Sequence, residues 1–298
     1  MQSFLMESMM ESMMDYFDDK RIERIAKGIA VDGNSSHRHI RVPLTRTAGV
    51  SFDGGRFKFD FEGDSEQDII RLAAYSLNCT KFKNNVYWFG YRFEASASSG
   101  LRSMFIDNLK GISGEIPENV LRRFIELPLF SLKEIFSSYS VDCFVYPVSQ
   151  RSQLVSKMIS VINECMQHDV SRCSFELVKL APVDICFDWG AFNSIYEGEP
   201  GYQQMARYVD EVLLPKIRKL DYFSLAKNVK PKYRPYITNY LGFPDLESLE
   251  KFRGLKGKNI LVVDDVNTSG STLNEILRIL NRVNQGCSIF VYTLIGKQ

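Results

Sequence analysis

One short run, residues 260–272, constrains the fold of this chain more than any other part of its sequence. It begins with four apolar residues, Ile-Leu-Val-Val, which predict a buried parallel strand. Asp264 and Asp265 follow where that strand should end, and a Thr/Ser/Gly loop then leads into residues 273–283, whose apolar spacing is helical. Ligands of open α/β sheets bind at the carboxyl ends of strands, so the run predicts a ligand site there.

The side chains of the loop suit a sugar phosphate. Four of its residues carry hydroxyls: Thr268, Ser269, Ser271 and Thr272. Together with the backbone N–H groups of a helix N-terminus, such hydroxyls can bind a phosphate dianion. Gly270 would let the backbone approach that phosphate closely. The two carboxylates can accept hydrogen bonds from vicinal ribose hydroxyls, so the run predicts a ribose-phosphate site.

Three other interpretations of the run compete with this one. A strand ending in two acids also opens receiver domains, but only 33 residues follow Asp265, too few for the further strand–helix units of such a domain. It could also be the acidic strand of a P-loop NTPase, but the sequence contains no G-x-x-x-x-G-K-[ST] motif. An ordinary buried strand with a polar cap would not require paired acids before a run of small and hydroxylated residues.

The stretch from Asp264 to Thr272 resembles the 5-phosphoribosyl-1-pyrophosphate (PRPP) binding loop of type I phosphoribosyltransferases. Residues 234–243, a polar turn and then Gly257-Lys258-Asn259 before the strand are similar to the competence-associated branch of that family. The resemblance is carried mainly by residues 235–298, extends in part to 140–182, and does not reach earlier residues.

This resemblance implies an α/β fold for the C-terminal part of the chain, and the length of 298 residues together with the patterns before residue 136 predicts two domains. Residues 136–298 would form the Rossmann-like parallel sheet of a type I phosphoribosyltransferase core, with 182–234 as an insert or hood over the site. Residues 1–135 would form an α+β accessory domain that precedes this core. Within the core we predict strands at 141–148, 175–180 and 286–295 and helices at 153–166 and 202–220.

The resemblance further implies a phosphoribosyltransferase of nucleotide metabolism. It would use PRPP and Mg²⁺ to transfer the 5-phosphoribosyl group to a nitrogen acceptor, a nucleobase, with release of pyrophosphate. Asp264 and Asp265 would be catalytic, holding the ribose hydroxyls and offsetting positive charge on the ring. Mg²⁺ would bind mainly through PRPP, with Asp264 or Asp265 as a further ligand. The substrate-binding loop would comprise Val266, Asn267, Thr268, Ser269, Gly270, Ser271 and Thr272.

A second loop would hold the pyrophosphate. By position in the family, this role falls on Ser149, Gln150 and Arg151, which follow the first core strand. Arg151 would supply a fixed cation for a leaving group that gains charge. A helix N-cap beside a surface arginine would explain the same residues.

Further cations lie in the predicted insert. Members of the family carry a mobile loop in this interval that closes over the site and excludes water. Lys230, Lys232 and Arg234 would be the basic residues that reach the pyrophosphate on closure. A solvated loop is the alternative interpretation of this cluster.

The N-terminal part carries its own patterns. Apolar residues between Leu5 and Phe17, most of them Met, recur at helical spacing, and we expect this amphipathic helix to pack on its own domain or on a second copy in a homodimer. Residues 33–38 predict a loop. The segments 48–52 and 56–61 predict a hairpin about Asp53-Gly54-Gly55.

After this hairpin we predict a helix at 65–77, a strand at 85–94 and helices at 101–109 and 117–139, the last interrupted at Pro128. Aromatic residues near Lys81, Lys83 and Arg92 could instead form a stacking platform for single-stranded nucleic acid. We favour a half-buried sheet that covers helices.

Composition limits the partners. The net charge is +1, with 37 basic and 36 acidic residues, which makes nucleic acid an unexpected partner without excluding it. The sequence contains no run of eighteen apolar residues, so it predicts no membrane-spanning helix. The six cysteines form no C-x-x-C pair, and Cys165, His168 and Cys173 lack a fourth zinc ligand nearby. We therefore expect reduced thiols and a cytoplasmic protein.

Two functions other than catalysis remain open at this point. A regulator with the phosphoribosyltransferase fold could sense PRPP without turning it over, and its ribose-phosphate loop would look the same. An interaction protein could retain the fold alone, although an unused site need not keep the complete set of acids and hydroxyls.

Overall fold

A computed structural model of the protein describes residues 46–53, 56–61, 70–74, 79–82, 85–93, 98–136, 140–149, 152–165, 173–267 and 270–296. The predicted Met-rich helix between Leu5 and Phe17, the loop at 33–38 and the glycines of the hairpin turn lie outside these ranges.

The strands of the described residues come in two groups along the chain. Those before the first helix are β1 (Arg46–Asp53), β2 (Arg56–Asp60), β3 (Ile70–Ala74), β4 (Cys79–Phe82) and β5 (Asn85–Phe93). Those that follow are β6 (Cys143–Pro147), β7 (Cys173–Lys179), β8 (Cys186–Phe187), β9 (Ile237–Thr238), β10 (Leu241–Gly242), β11 (Asn259–Val266) and β12 (Ser288–Ile295).

The helices of the described residues lie between and after these strands. They are α1 (Ser99–Leu109), α2 (Glu118–Phe136), α3 (Leu154–Cys165), α4 (Trp189–Tyr196), α5 (Tyr202–Arg207), α6 (Leu214–Arg218), α7 (Leu225–Asn228), α8 (Leu246–Arg253) and α9 (Ser271–Val283). A π-helical turn, Tyr208–Leu213, joins α5 to α6, so the predicted helix at 202–220 is continuous but not uniformly α. Two short 3₁₀ helices are Pro182–Asp184 and Pro231–Tyr236. None of the described helices has the length and apolar character of a membrane span.

Ten of the described strands form one sheet, in the order β10-β7-β6-β11-β12-β5-β3-β1-β2, with β4 also paired to β5. The five central strands, β7, β6, β11, β12 and β5, are mutually parallel. Val262 of β11 lies in register with Val145 of β6 and with Val291 of β12. The carboxyl ends of these strands therefore meet at one edge, which confirms the predicted α/β fold with a Rossmann-like core.

Each face of the sheet is covered by a different set of helices. Leu261 and Val263 of β11 belong to a core that includes Phe105 of α1, Phe124 of α2 and Met158 of α3. Ile260 and Val262 belong to a second core, which includes Phe192 of α4, Ile217 of α6 and Leu280 of α9. Successive residues of a strand point to opposite faces, so β11 alternates between the two cores.

The N-terminal strands continue the core sheet. β5 pairs in parallel with β12, in a register that places Val291 beside Tyr87 and Ile295 beside Tyr91. β1, β2 and β3 then extend the sheet by antiparallel pairs. The division of the chain at residue 136 stays a prediction, but strands from both sides of it share one sheet.

The helix predicted at 65–77 is wrong over residues 70–74, which form strand β3. Ile70 and Leu72 are both fully buried, and they lie in register with Val50 and Ala48 of β1. Buried residues therefore alternate along this segment, as in a strand. Pairing with β1 and β5 outweighs the local helical pattern. Strand β4 was not predicted.

The interruption predicted at Pro128 is also wrong, because α2 runs through this residue. Proline has no N–H, so it leaves the carbonyl of the residue four positions earlier, Phe124, without its helical donor. The Tyr91 hydroxyl of β5 donates to that carbonyl at 2.8 Å, and its ring stacks on the Phe124 ring with centroids 4.3 Å apart. The sheet thus supplies the hydrogen bond that the proline removes.

This arrangement predicts an unusual rescue. Tyr91→Phe keeps the ring stack but leaves the buried Phe124 carbonyl without a donor, which should lower the free energy of unfolding by about 1–3 kcal/mol. In a Pro128→Ala background the alanine N–H can donate to that carbonyl, so the same tyrosine change should cost clearly less. Denaturant unfolding of the four proteins measures both effects. An equal cost in both backgrounds would contradict the proposed compensation.

Candidate active site

The two acids at the end of β11 are buried. Asp264 is 6% exposed and Asp265 is 8% exposed. Because they are consecutive on a strand, they point to opposite faces, Asp264 toward the core of α4, α6 and α9 and Asp265 toward the core of α1, α2 and α3. Oδ1 of Asp264 accepts a hydrogen bond of 2.9 Å from the backbone N–H of Asp265. This bond ties the Asp264 carboxylate to the strand end.

A lysine from the N-terminal part reaches this pair. Nζ of Lys110, the residue that ends α1, lies 2.9 Å from Oδ2 of Asp265. Lys110 was not among the predicted site residues. A lysine at the end of a helix is common, and no local signal shows that it contacts an acid far along the chain.

Burial and mutual repulsion govern the ionisation of the acids. Burial raises the pKa of Asp264 to about 7, and the charge of Asp265 acts in the same direction, while Lys110 partly opposes both. Burial alone would lower the pKa of Lys110, but the carboxylates of Asp265, Asp264 and Asp107 outweigh it and raise that pKa. Lys110 is therefore a cation held among acids.

The loop after β11 is held at both ends. The N–H of Asn267 donates to the carbonyl of Ile295 on β12 at 2.8 Å, and the N–H of Asn274 donates to the carbonyl of Gly270 at 2.8 Å. Gly270 has φ +70° and lies just before α9, so it adopts the left-handed conformation that glycine favours. Ser271 is buried at the first turn of that helix, and Thr272 is half-buried. Thr268 and Ser269 lie outside the described residues.

One polar atom of this loop has no hydrogen-bond partner among the residues that the structure describes. This atom is Oδ1 of Asn267, which is buried. Buried polar groups nearly always have a partner, so an orphaned oxygen beside a strand end is consistent with a site built for a polar ligand.

A network on the other side supports the start of α9. The Tyr240 hydroxyl donates to the carbonyl of Ser271 at 2.9 Å. Buried Glu275 of α9 accepts hydrogen bonds from the N–H of Asn239 at 2.7 Å and from Nε of Arg278 at 2.7 Å. Asn239 has φ 60°, which the bond to Glu275 helps to hold. Sequence patterns did not identify these supporting residues.

The predicted pyrophosphate loop follows β6, the neighbour of β11 in the sheet. Ser149 is exposed and forms an isolated antiparallel bridge with Ser152, whose hydroxyl accepts a hydrogen bond of 3.2 Å from the N–H of Leu154. Gln150 and Arg151 lie outside the described residues. The structure places Ser149 at the same sheet edge as the acids, and the role of this loop stays a prediction.

The three predicted loop cations lie in and beside the 3₁₀ helix Pro231–Tyr236. Arg234 donates to the carbonyls of Val229 at 2.9 Å and Ala226 at 2.8 Å. Nζ of Lys230 and of Lys232 lies over tyrosine rings, 5.3 Å and 4.9 Å from the ring centroids. The described contacts do not bring these cations to Asp264 or Asp265, and their role as loop cations stays a prediction.

The acids fit a magnesium ion that is carried by its ligand. No group of three or more metal-ligating side chains occurs among the described residues. Mg²⁺ commonly binds one or two carboxylates and completes its shell with phosphate oxygens and water, and Asp264 and Asp265 could supply those carboxylates. The weaker zinc pattern includes His168, which lies outside the described residues.

Most of the aromatic residues of β5 do not form an open stacking surface. Four of them are buried in the sheet: Tyr87, Trp88, Tyr91 and Phe93. Stacking with the bases of a single strand requires exposed ring faces, so these four rings belong to the core instead.

One family matches part of the chain. Residues 198–298 match the phosphoribosyl transferase domain family. The matched segment contains β11, the acid pair, the loop and α9, and it begins inside the predicted insert. It supports the predicted type I phosphoribosyltransferase superfamily, whereas the competence-associated branch stays a prediction. No curated protein matches the sequence.

The ionisation of Asp264 predicts a pH-dependent gain of stability on mutation. Its pKa of about 7 in the folded protein exceeds the ~4 of an unfolded aspartate. Its contribution to stability is therefore complete below pH ~4 and is lost as the pH rises through about 7. Asp264→Asn should be more stable than the wild type at pH 8, by on the order of 4 kcal/mol, with the difference vanishing toward pH 4.

Asp142, beside the amino end of β11, provides the matched control. A hydrogen bond from the N–H of Asn259 and, more weakly, the ammonium of Lys258 lower the pKa of Asp142 despite some burial. Asp142→Asn should therefore lose stability at pH 8, the opposite sign. Chemical denaturation of both variants at pH 4, 6 and 8 measures the difference. A loss of stability at pH 8 in both would show that burial does not destabilise the Asp264 carboxylate.

Proposed function

We propose, from the premise that residues 198–298 form a phosphoribosyl transferase domain, that this protein is a cytoplasmic phosphoribosyltransferase that uses PRPP with Mg²⁺. The group transferred is 5-phosphoribosyl, the acceptor is a nitrogen atom of a nucleobase, and the product that leaves is pyrophosphate. The observation that carries this proposal is the joining of two buried acids, an orphaned amide oxygen and a helix N-terminus within one strand–loop–helix unit.

The loop and α9 suit the 5-phosphate. The first N–H groups of a helix have no partner inside the helix, and the helix dipole favours an anion there. No acidic residue lies in the first turn of α9, so nothing there repels a phosphate. Gly270 carries no Cβ where the backbone turns into the helix, which leaves room for a phosphate oxygen.

The acids suit the ribose. Ionised carboxylates accept hydrogen bonds from the 2- and 3-hydroxyls of the sugar. As the bond from C1 to pyrophosphate breaks, positive charge develops on the ring, and carboxylates held in a buried site stabilise it without reorganisation. When bound with PRPP, Mg²⁺ would neutralise charge on the departing pyrophosphate, with Asp264 or Asp265 as protein ligands. Ser149, Gln150 and Arg151 are proposed to hold that leaving group.

Two assays separate this proposal from a PRPP sensor. Thermal shift with PRPP and Mg²⁺, ribose 5-phosphate or pyrophosphate should show stabilisation, about 2.7 kcal/mol at a hundredfold excess over Kd. Release of pyrophosphate from PRPP in the presence of a panel of nucleobases should then identify the acceptor. Stabilisation without turnover by any base would favour the sensor, and no stabilisation by any of the three ligands would remove the site assignment.

A pair of glycine variants tests the phosphate loop. Gly270 and Gly257 both have positive φ, +70° and +64°, and at neither position would an added Cβ meet a neighbouring atom within 3.4 Å. An alanine at either position should cost about 1 kcal/mol of stability, because L side chains are strained there.

Only Gly270→Ala should also weaken ribose 5-phosphate binding, by tenfold or more, since its methyl group would lie where the phosphate approaches the backbone. Gly257→Ala, at the amino end of β11, should bind like the wild type. Isothermal titration of both variants decides the matter. Equal affinities would place the phosphate elsewhere, with the 149–152 turn as the next candidate.

A further inference from the structure

The ion pair between Lys110 and Asp265 is less exposed than the surface ion pairs of the described residues. The two side chains are 25% and 12% exposed, whereas those of Lys251 and Glu247 are 66% and 76% exposed. Exposed pairs contribute little, but removing one partner of a sheltered pair leaves a charge without compensation. Lys110 is therefore an integral part of the acid site.

The backbone fixes Lys110 at this position. Phe105 and Leu109 of α1 are buried in the core that α2 and α3 share. The helix ends at Lys110, whose N–H donates to the carbonyl of Ile106 at 3.0 Å, and Gly111 follows in the left-handed conformation with φ +69°. The N–H of Ile112 returns to the carbonyl of Asp107 at 2.8 Å, which closes the turn. A helix cap of this kind fixes the position of the lysine backbone.

We propose that Lys110 is a positioning residue of the ribose site, which holds the Asp265 carboxylate so that its second oxygen accepts from a ribose hydroxyl. This inference rests on the proposed function. It also places the end of α1 at the site, which makes the N-terminal part of the chain a contributor to substrate binding.

The chemistry of a carboxylate supports this role. Oδ2 of Asp265 is used by Lys110, and no described hydrogen bond uses Oδ1. The two oxygens of a carboxylate can serve different donors at once. A lysine on one oxygen restricts rotation of the group, so less conformational freedom is lost when a hydroxyl binds the other.

The charges support it as well. Asp264 and Asp265 are consecutive, and two neighbouring buried carboxylates disfavour each other's ionised form. The ammonium of Lys110 offsets one of the two negative charges. It also reduces the repulsion that a phosphorylated, anionic ligand would meet at the strand end.

The test compares three sugar phosphates on the full chain. Ribose 5-phosphate and its 2-deoxy and 3-deoxy analogues are titrated calorimetrically against the wild type, Lys110→Met, Lys110→Arg and Lys258→Met. Lys258 pairs with Asp142 beside the opposite end of β11, so its variant removes an ion pair without touching the site. Lys110→Gln replaces Lys110→Met if the latter does not fold.

The wild type should prefer ribose 5-phosphate over at least one analogue by about tenfold or more, the loss expected for a hydrogen bond to a charged group. Lys110→Met should lose most of that preference, Lys110→Arg should keep most of it, and Lys258→Met should keep all of it. If Lys110 only stabilised the fold, its loss would weaken the binding of ribose 5-phosphate and of both deoxy analogues by the same factor. The preference for ribose 5-phosphate would then stay unchanged.

A double-mutant cycle with Asp265→Asn completes the test. If Lys110 acts through Asp265, the double variant should bind ribose 5-phosphate no more weakly than Asp265→Asn alone. Additive losses would overturn the assignment, as would a full preference for ribose in Lys110→Met. If the wild type bound none of the sugar phosphates, the proposed function would fail and this inference with it. If the wild type bound ribose 5-phosphate and Lys110→Met kept the full preference for it, the role of Lys110 would be wrong while the proposed function would stand.

Discussion

The parallel pairing of β11 between β6 and β12 is the constraint on which the rest of the structure depends. Its register brings the carboxyl ends of the central strands to one edge of the sheet. At that edge Asp264 and Asp265 leave the strand toward opposite faces, and the N–H of Asn267 is fixed by β12. The loop can then turn through Gly270 into α9 with its N–H groups directed at the same edge. The proposed recognition of phosphate and sugar follows from this one geometry.

The same pairing continues into the N-terminal part of the chain. β5 adds to β12 in parallel, and the segment that follows it forms α1 and α2 over the face toward which Asp265 points. Tyr91 fastens β5 to α2 by completing the helix that Pro128 would otherwise leave open. Lys110 then reaches the acid pair from the end of α1. A part of the chain with no recognisable motif of its own thus contributes a charge to the site.

The strand–loop–helix unit of the candidate site could be predicted from sequence because all of its parts lie in one contiguous run, whose pattern can be recognised without tertiary contacts. The parallel core strands were predicted for the same reason, since their apolar runs are short and uninterrupted. Strand β3 was missed because its pairing with β1, rather than its own helical pattern, decides its structure. Lys110 and Tyr240 were missed because their roles arise only when residues distant in sequence meet. The continuity of the sheet across residue 136 likewise depends on pairing that no local pattern reveals.

Hydrogen exchange measured by mass spectrometry, with and without PRPP and Mg²⁺, shows directly which segments of the chain the ligand contacts. Bound ligand should slow exchange in two separate segments, residues 266–274 after β11 and residues 107–112 at the end of α1. Exchange at the opposite edge, in residues 257–259 and 140–143, should not change. If exchange slowed in neither of the first two segments, or slowed only at the opposite edge, the assignment of the ligand site would be wrong. Slower exchange at 266–274 alone would show that the N-terminal part of the chain has no share in it.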